Sequence, residues 1–333
     1  MDKSIVIDET NSKSSKINYS TIISKLSPYA GLVLSIVVFQ ILTGGKLLTI
    51  SNLQSLTNQV IITALVAIGA VYVFGIGCFD MSLGSLVCLG SVVGGMVAIA
   101  TGNIFFAFLV CMIIPIAAGI IKGIFASYVE VPFFIFTIVL GMVINAFVLV
   151  ILGKETTLYL ENAVTPIKTF NFTEMTVINV LVLGGFYLLC LFLFNYTGLG
   201  IRVKMLGGNY DAAKQTGMNI TKIKITAFLV SALGVGLAAF LILIRVRTVG
   251  YSTAVSTGND VMVALVLGGM PISGGPRTKI SAGIIGAATI TVLNSGLAIM
   301  GLSTGTIQIC RGIVFLAVVL VASFSYRTKM LPR

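Results

Sequence analysis

Ten apolar runs, most of them long enough to cross a bilayer, follow one another along the chain at roughly 28–43, 56–75, 82–100, 105–127, 133–152, 176–196, 223–244, 257–273, 279–298 and 304–324. A nearly uncharged run of about 20 residues crosses a hydrocarbon core of about 30 Å as a helix. In that solvent the backbone has to satisfy its own polar groups. Strand-like alternation at every second residue is absent, which sets a β-barrel aside. With 57% hydrophobic and 9% charged residues, against about 25% charged in soluble domains, water cannot be the main solvent. The expected fold class is an all-α polytopic membrane protein of about ten transmembrane helices, with Gly/Pro-interrupted helices near a pathway.

The net charge of +11 reads as topology rather than as affinity for nucleic acid. With the N-terminus inside, Lys3, Lys13, Lys16, Lys25, Lys122, Arg202, Lys204, Lys214, Lys222, Lys224, Arg277, Lys279, Arg327, Lys329 and Arg333 fall on the inner side. Lys46, Lys154, Lys168, Arg245 and Arg247 fall outside, and Arg311 is left within the last run. The positive-inside rule then places both termini in the cytosol. The division is 1–27 as a disordered cytosolic tail, 28–325 as the transmembrane domain and 326–333 as a cytosolic tail. The first 27 residues lack the apolar region and cleavage site of a signal peptide.

The chain has no histidine and no G-x-x-x-x-G-K-[ST], so imidazole chemistry, an H-E-x-x-H zinc site and a phosphate-cradling loop of its own are excluded. Its five cysteines show no CxxC spacing, which argues against disulfides and metal sites. Carboxylates near the apolar runs are restricted to Asp80, Glu130 and Asp260, few for an ion-coupled carrier. Glu130 is expected in a solvated turn. Asp80, with Ser82 close by, and Asp260 each precede an apolar stretch by the distance of a helix cap. A role in gating or substrate passage is the other reading for both. Arg311 lies about seven residues into the last run. Such a charge faces the bundle interior with a partner, here Asp80, Asp260 or a helix C-terminus, or it meets a polar solute.

Glycine clusters at Gly75–Gly84 and Gly268–Gly275 interrupt apolar sequence where helices finish or restart. The eighth run is short and carries Pro271, so it is expected to be broken or partly re-entrant. The long polar stretch is 197–224. Within it, Asp211 near an N-terminus, Ala212 and Ala213 in the middle and Gly217 as a C-terminal stop predict a helix of about two turns. It is either a solvated connection or a surface offered to a soluble partner.

The segment Gly207-Gly208-Asn209-x-x-Ala212-Ala213-x-x-x-Gly217-Met-Asn219, followed by Lys222-Ile-Lys224, resembles the coupling segment of ribose-type ABC sugar permeases. Gly77-Cys-Phe-Asp80-Met-Ser82-Leu-Gly-Ser85 resembles a second signature of that family, and Asn259-Asp260 through Gly268-Gly269 with Gly274-Gly275 a third. Ile285-Gly-Ala287 through Asn294-Ser-Gly-Leu297 and the basic Arg311 resemble its last two spans. Two departures stand out. Gly258 occupies a position where relatives often carry Glu, and Gly275-Pro-Arg-Thr-Lys279 replaces the usual turn.

The resemblance implies a multi-pass permease subunit of the bacterial cytoplasmic (inner) membrane, surrounded by membrane lipid. It implies a second permease copy or sister permease, an ABC ATP-binding subunit docked on Gly207–Gly217, and an extracytoplasmic sugar-binding protein that delivers a monosaccharide. The chain itself makes no covalent bond and needs no cofactor, ATP and Mg residing on the ATPase. Phe133, Phe134, Asn145 and Asn294 are candidates for the pathway, together with Asp80, Ser82, Asp260 and Arg311. Arg245 and Arg247 are expected either to dock the binding protein or to anchor at lipid headgroups. A nucleoside or branched-chain amino-acid ABC permease remains open, as does an ion-coupled secondary carrier.

Overall fold

A computed structural model describes residues 19–129, 131–163, 169–271 and 273–330. Twelve α-helices are formed among them: Tyr19–Leu42 (α1), Ile50–Gly75 (α2), Leu83–Thr101 (α3), Ile104–Tyr128 (α4), Phe133–Leu152 (α5), Phe172–Asn195 (α6), Gly198–Gly208 (α7), Tyr210–Gln215 (α8), Ile220–Val246 (α9), Thr257–Leu267 (α10), Ser281–Ile299 (α11) and Thr304–Met330 (α12). Thr157–Tyr159 (β1) and Thr248–Gly250 (β2) pair as an antiparallel ribbon, with Leu158 opposite Val249. The chain is thus an all-helical, polytopic membrane protein. Glu130 lies outside the described residues. Helix α1 begins at Tyr19 and α12 runs to Met330, so both extend into the segments expected as tails.

Among the described residues seven helices, rather than the ten expected, are long and apolar enough to cross a membrane: α2, α3, α4, α5, α6, α9 and α11, with shorter apolar helical stretches at Leu26–Leu42, Thr257–Leu267 and Thr304–Ala317. Helices α2, α3, α9 and α11 are surrounded by protein, whereas α4, α5 and α6 turn most of their apolar surface outward. Lipid tails are as apolar as leucine, so association rests on close packing and on hydrogen bonds between helices. Gly90 and Gly94 on α3 lie against Cys111 and Ala107 of α4, and Gly283 of α11 lies against Ile68 of α2. The Tyr72 hydroxyl donates to the Cys190 carbonyl at 2.6 Å, and Asn179 Nδ2 donates to Asn58 Oδ1 at 2.6 Å. Both bonds join α2 to α6.

The eighth run departs from the simplest expectation of a span over 257–273. Helix α10 stops at Leu267, and its 11 residues rise about 16 Å, roughly half of a 30 Å hydrocarbon core. It is a half-helix. Gly269, Gly274 and Gly275 have φ of 84°, 68° and 85°, a conformation that glycine adopts without penalty. The chain therefore leaves the helix at Gly268 and does not resume one until Ser281.

Candidate functional site

The two glycine clusters of the sequence and Gly207 of the polar stretch meet at one point. The Gly275 N–H donates to the carbonyl of Gly75, the last residue of α2, at 2.9 Å. Gly207, in the last turn of α7, packs against the same carbonyl, and a Cβ there would also lie 2.8 Å from Gly275 N. No side chain fits at Gly207. The junction joins the end of α2, the loop after α10 and the segment carrying α8.

Helix α8 projects from that junction. Its N-cap is Asn209, whose side chain accepts from Ala212 N at 3.0 Å. The cap is thus two residues before Asp211, the expected start. Gly207 and Gly208 close α7 rather than opening α8. Gly217 follows at φ 75°, as expected of a helix stop. Ala213 is buried, whereas Ala212, Asp211 and Lys214 are exposed, so one small residue seats the helix and its charges face outward. Lys224 Nζ donates to the Ala126 carbonyl at the end of α4 and lies 5.6 Å from the Tyr210 ring centroid.

A second close approach joins the starts of α3 and α10. A Cβ on Gly84 would lie 2.5 Å from the Ala254 carbonyl and 2.9 Å from Gly258 N, and one on Gly258 would lie 2.5 Å from the Met81 carbonyl. A glutamate at Gly258 is sterically excluded in this arrangement. Gly258 lies in the first turn of α10, and the chain runs from it through that helix and the loop after it to Gly275 of the junction.

Two ion pairs flank this crossing. Asp80 is not a helix cap. It is fully buried in the irregular stretch before α3, where one oxygen accepts from Ser82 N at 2.9 Å and from Ser82 Oγ at 2.6 Å. Its other oxygen takes the Lys122 ammonium at 2.5 Å. Lys122 is buried on α4 and also donates to Ser82 Oγ at 3.3 Å. The same stretch is tied to α5, since the Thr137 hydroxyl donates to the Phe79 carbonyl at 3.2 Å and accepts from Met81 N at 3.1 Å. Asp260, in the first turns of α10, pairs with Arg311 of α12 and accepts from Ser256 Oγ at 3.3 Å. Of the partners expected for Arg311, the structure selects Asp260. Both of these side chains are nearly buried, and Arg311 Nε has no hydrogen-bond partner.

The remaining candidates are dispersed. Phe133 packs on Phe228, with ring centroids 5.0 Å apart, while Phe134 is exposed on the outer side of α5. Asn145 and Asn294 each hold a buried side-chain oxygen without a hydrogen-bond partner in the protein. Arg245 is half-buried in the last turn of α9. Arg247 caps that helix at φ 57°, its carbonyl accepting from Leu160 N and its Nε buried. They do not form a matched exposed pair. Lys122 and Thr137 were not singled out from the sequence, although a lysine within an apolar run was a signal. Among the described residues no cluster of three His, Cys, Asp or Glu is placed to hold a metal.

The chain matches the family model described as branched-chain amino acid transport system / permease component over residues 52–322. It is 28% identical to the ribose import permease protein RbsC of Escherichia coli strain K12, over 82% of this chain and 86% of the relative. It is 28% identical to the xylose transport system permease protein XylH of Haemophilus influenzae, over 84% and 91%. Identity to the fructose import permease protein FrcC of Rhizobium meliloti is 26%, over 82% and 78%. No solved structure matches the chain significantly. The family match covers the junction, the crossing, and both ion pairs, and the chain belongs to the branched-chain amino acid transport system / permease component family.

Proposed function

We propose that this chain is the transmembrane subunit of an ATP-driven ABC importer in the bacterial cytoplasmic membrane, moving a monosaccharide, ribose-like or related, received from an extracytoplasmic binding protein. One observation carries the coupling role. The exposed helix α8 is mounted on a close glycine junction that also holds the end of α2 and the loop leaving the half-helix α10. A push on α8 from an ATP-binding subunit would pass through that junction to α10, whose start lies against α3 beside the two ion pairs. In this reading the junction end faces the cytosol, and the pathway runs between this chain and a second copy or sister permease. ATP, with its Mg, works on the separate subunit, and its differential affinity for two permease conformations supplies the driving energy. This chain binds and releases solute and moves no covalent bond.

Support for a sugar comes from the names of the relatives, which are ribose, xylose and fructose permeases. The family description names branched-chain amino acids instead. A zwitterion calls for charged or helix-terminal contacts. Asp80 and Lys122 are matched to each other, and most buried atoms left without a partner are uncharged groups suited to hydroxyls, the amide oxygens of Asn145, Asn179 and Asn294 and the Ser231 hydroxyl, beside the Nε atoms of Arg247 and Arg311.

The test is capture of the tagged chain from native membranes in mild detergent, with mass spectrometry of co-purifying proteins, for the native chain and for Asp211→Ala with Lys214→Ala. The reading expects an ATP-binding subunit that the double substitution releases. A chain that comes down alone, under conditions that preserve known complexes, contradicts it.

A further inference from the structure

Beside α8 lies a polar cavity of about 350 Å³ between α7 and the first turns of α9, with Arg202, Thr216, Asn219, Lys222 and Thr226 in its wall. No carboxylate lines it, and neither Arg202 nor Lys222 has an ion-pair partner among the described residues. Their basic neighbours are committed elsewhere. Lys204 lies 4.7 Å from the Phe194 ring centroid, and Lys224 holds the Ala126 carbonyl. The start of the long helix α9, capped by the Asn219 side chain on Lys222 N at 2.9 Å, adds the positive end of its dipole. Across 197–224 the basic residues Arg202, Lys204, Lys214, Lys222 and Lys224 face a lone acid, Asp211.

We propose that this cavity receives a carboxylate side chain of the ATP-binding subunit, held between Arg202 and Lys222. The inference rests on the importer reading and gives that partner's chemistry. It favours a protein carboxylate because Thr216 and Gly217, which line the cavity, directly follow Gln215, the last residue of α8. A subunit gripping α8 covers the mouth. The exposed face of α8 carries Asp211, Lys214 and Gln215 with Tyr210 as its one large apolar side chain, and gives a lipid's acyl chains little to lie on. A charge seated next to the coupling helix also fixes the register of docking, the role in which interfacial charge is most effective.

The experiment uses the purified complex in nanodiscs of neutral phosphatidylcholine, treated with a water-soluble carbodiimide, which condenses a lysine amine with a carboxylate. Peptide mass spectrometry is expected to find Lys222 joined to an Asp or Glu of the ATP-binding subunit. In parallel, Arg202→Glu with Lys222→Glu is expected to weaken subunit binding about tenfold or more, while Arg202→Lys retains it. An intact complex with Lys222 unlinked overturns the proposal, and needs no variant to fold. Unchanged affinity of the charge-reversed chain overturns it too. A reversal whose effect appears only as lost binding of phosphatidylglycerol vesicles makes a lipid phosphate the occupant and overturns it likewise. These results leave the importer reading standing, whereas a native chain that holds no ATP-binding subunit removes both.

Discussion

The Lys122 ammonium sits 2.5 Å from the Asp80 carboxylate, with both side chains buried and 42 residues apart in sequence. A pair of this kind adds little net stability over an apolar replacement, because two desolvation penalties offset the attraction. Its geometric effect is specific. Asp80 precedes α3 in an irregular stretch, so the pair pins the start of α3 to α4 while Ser82 and Thr137 complete the network. The Asp260–Arg311 pair does the same for α10 and α12. The two helices that start at the Gly84–Gly258 crossing are thus each tethered by one ion pair.

Removing one member of the buried pair leaves an uncompensated charge. Lys122→Met is expected to destabilise the chain by about 3–5 kcal/mol. Lys122→Met with Asp80→Asn is expected to recover most of that loss. Thermal unfolding of the detergent-solubilised chain measures it, and equal losses in the single and double variants would show that the two side chains are not coupled.

The partner of Arg311 is tested by exchange. Arg311→Asp is expected to lower uptake strongly through repulsion of Asp260, and Asp260→Arg added to it to restore part of the activity. An exchange that gives no recovery, in a chain still inserted and still bound to its ATPase, would remove the pair from the gating account.

Gly207→Val places a side chain where the Gly75 carbonyl and Gly275 N already sit. The expected outcome is a chain that inserts and still binds its ATP-binding subunit but transports poorly, because α8 no longer seats on α2 and the α10 loop. ATPase activity and solute uptake, measured on the same proteoliposomes, should separate. Normal uptake would mean that the junction transmits nothing.

Asn209→Ala removes the cap of α8, at a cost of about 1 kcal/mol of local helix stability. A several-fold weaker hold on the ATP-binding subunit is expected, with Asn209→Asp close to native. Titration of the purified subunit onto the reconstituted chain reads this directly.

Much of the architecture could be read from the residues because lipid leaves a chain few options. Each apolar run became helix except the second part of the eighth, since few other backbones satisfy their own polar groups there. The glycine clusters marked the breaks, and Gly268-Gly269 with Pro271 foretold a short α10. Arg311 announced itself as a charge in need of a partner, and Asp260 was among those expected. Lys122 was obscured by counting charges per side of the membrane, which placed it in an inner segment and hid its burial. The convergence of Gly75, Gly207 and Gly275 was also out of reach, because packing over 200 residues of chain leaves no local pattern. The cap of α8 turned on a two-residue shift between Asp211 and Asn209, both suited to the position.

The most direct test of the account is uptake by proteoliposomes that hold this chain, its ATP-binding subunit and its binding protein, measured with labelled monosaccharides and labelled leucine, with ATP or with an imposed Na⁺ or H⁺ gradient. The account predicts uptake of a monosaccharide that requires ATP and the binding protein and ignores the ion gradients. Uptake of leucine but no sugar, or uptake driven by a gradient without ATP, would contradict it.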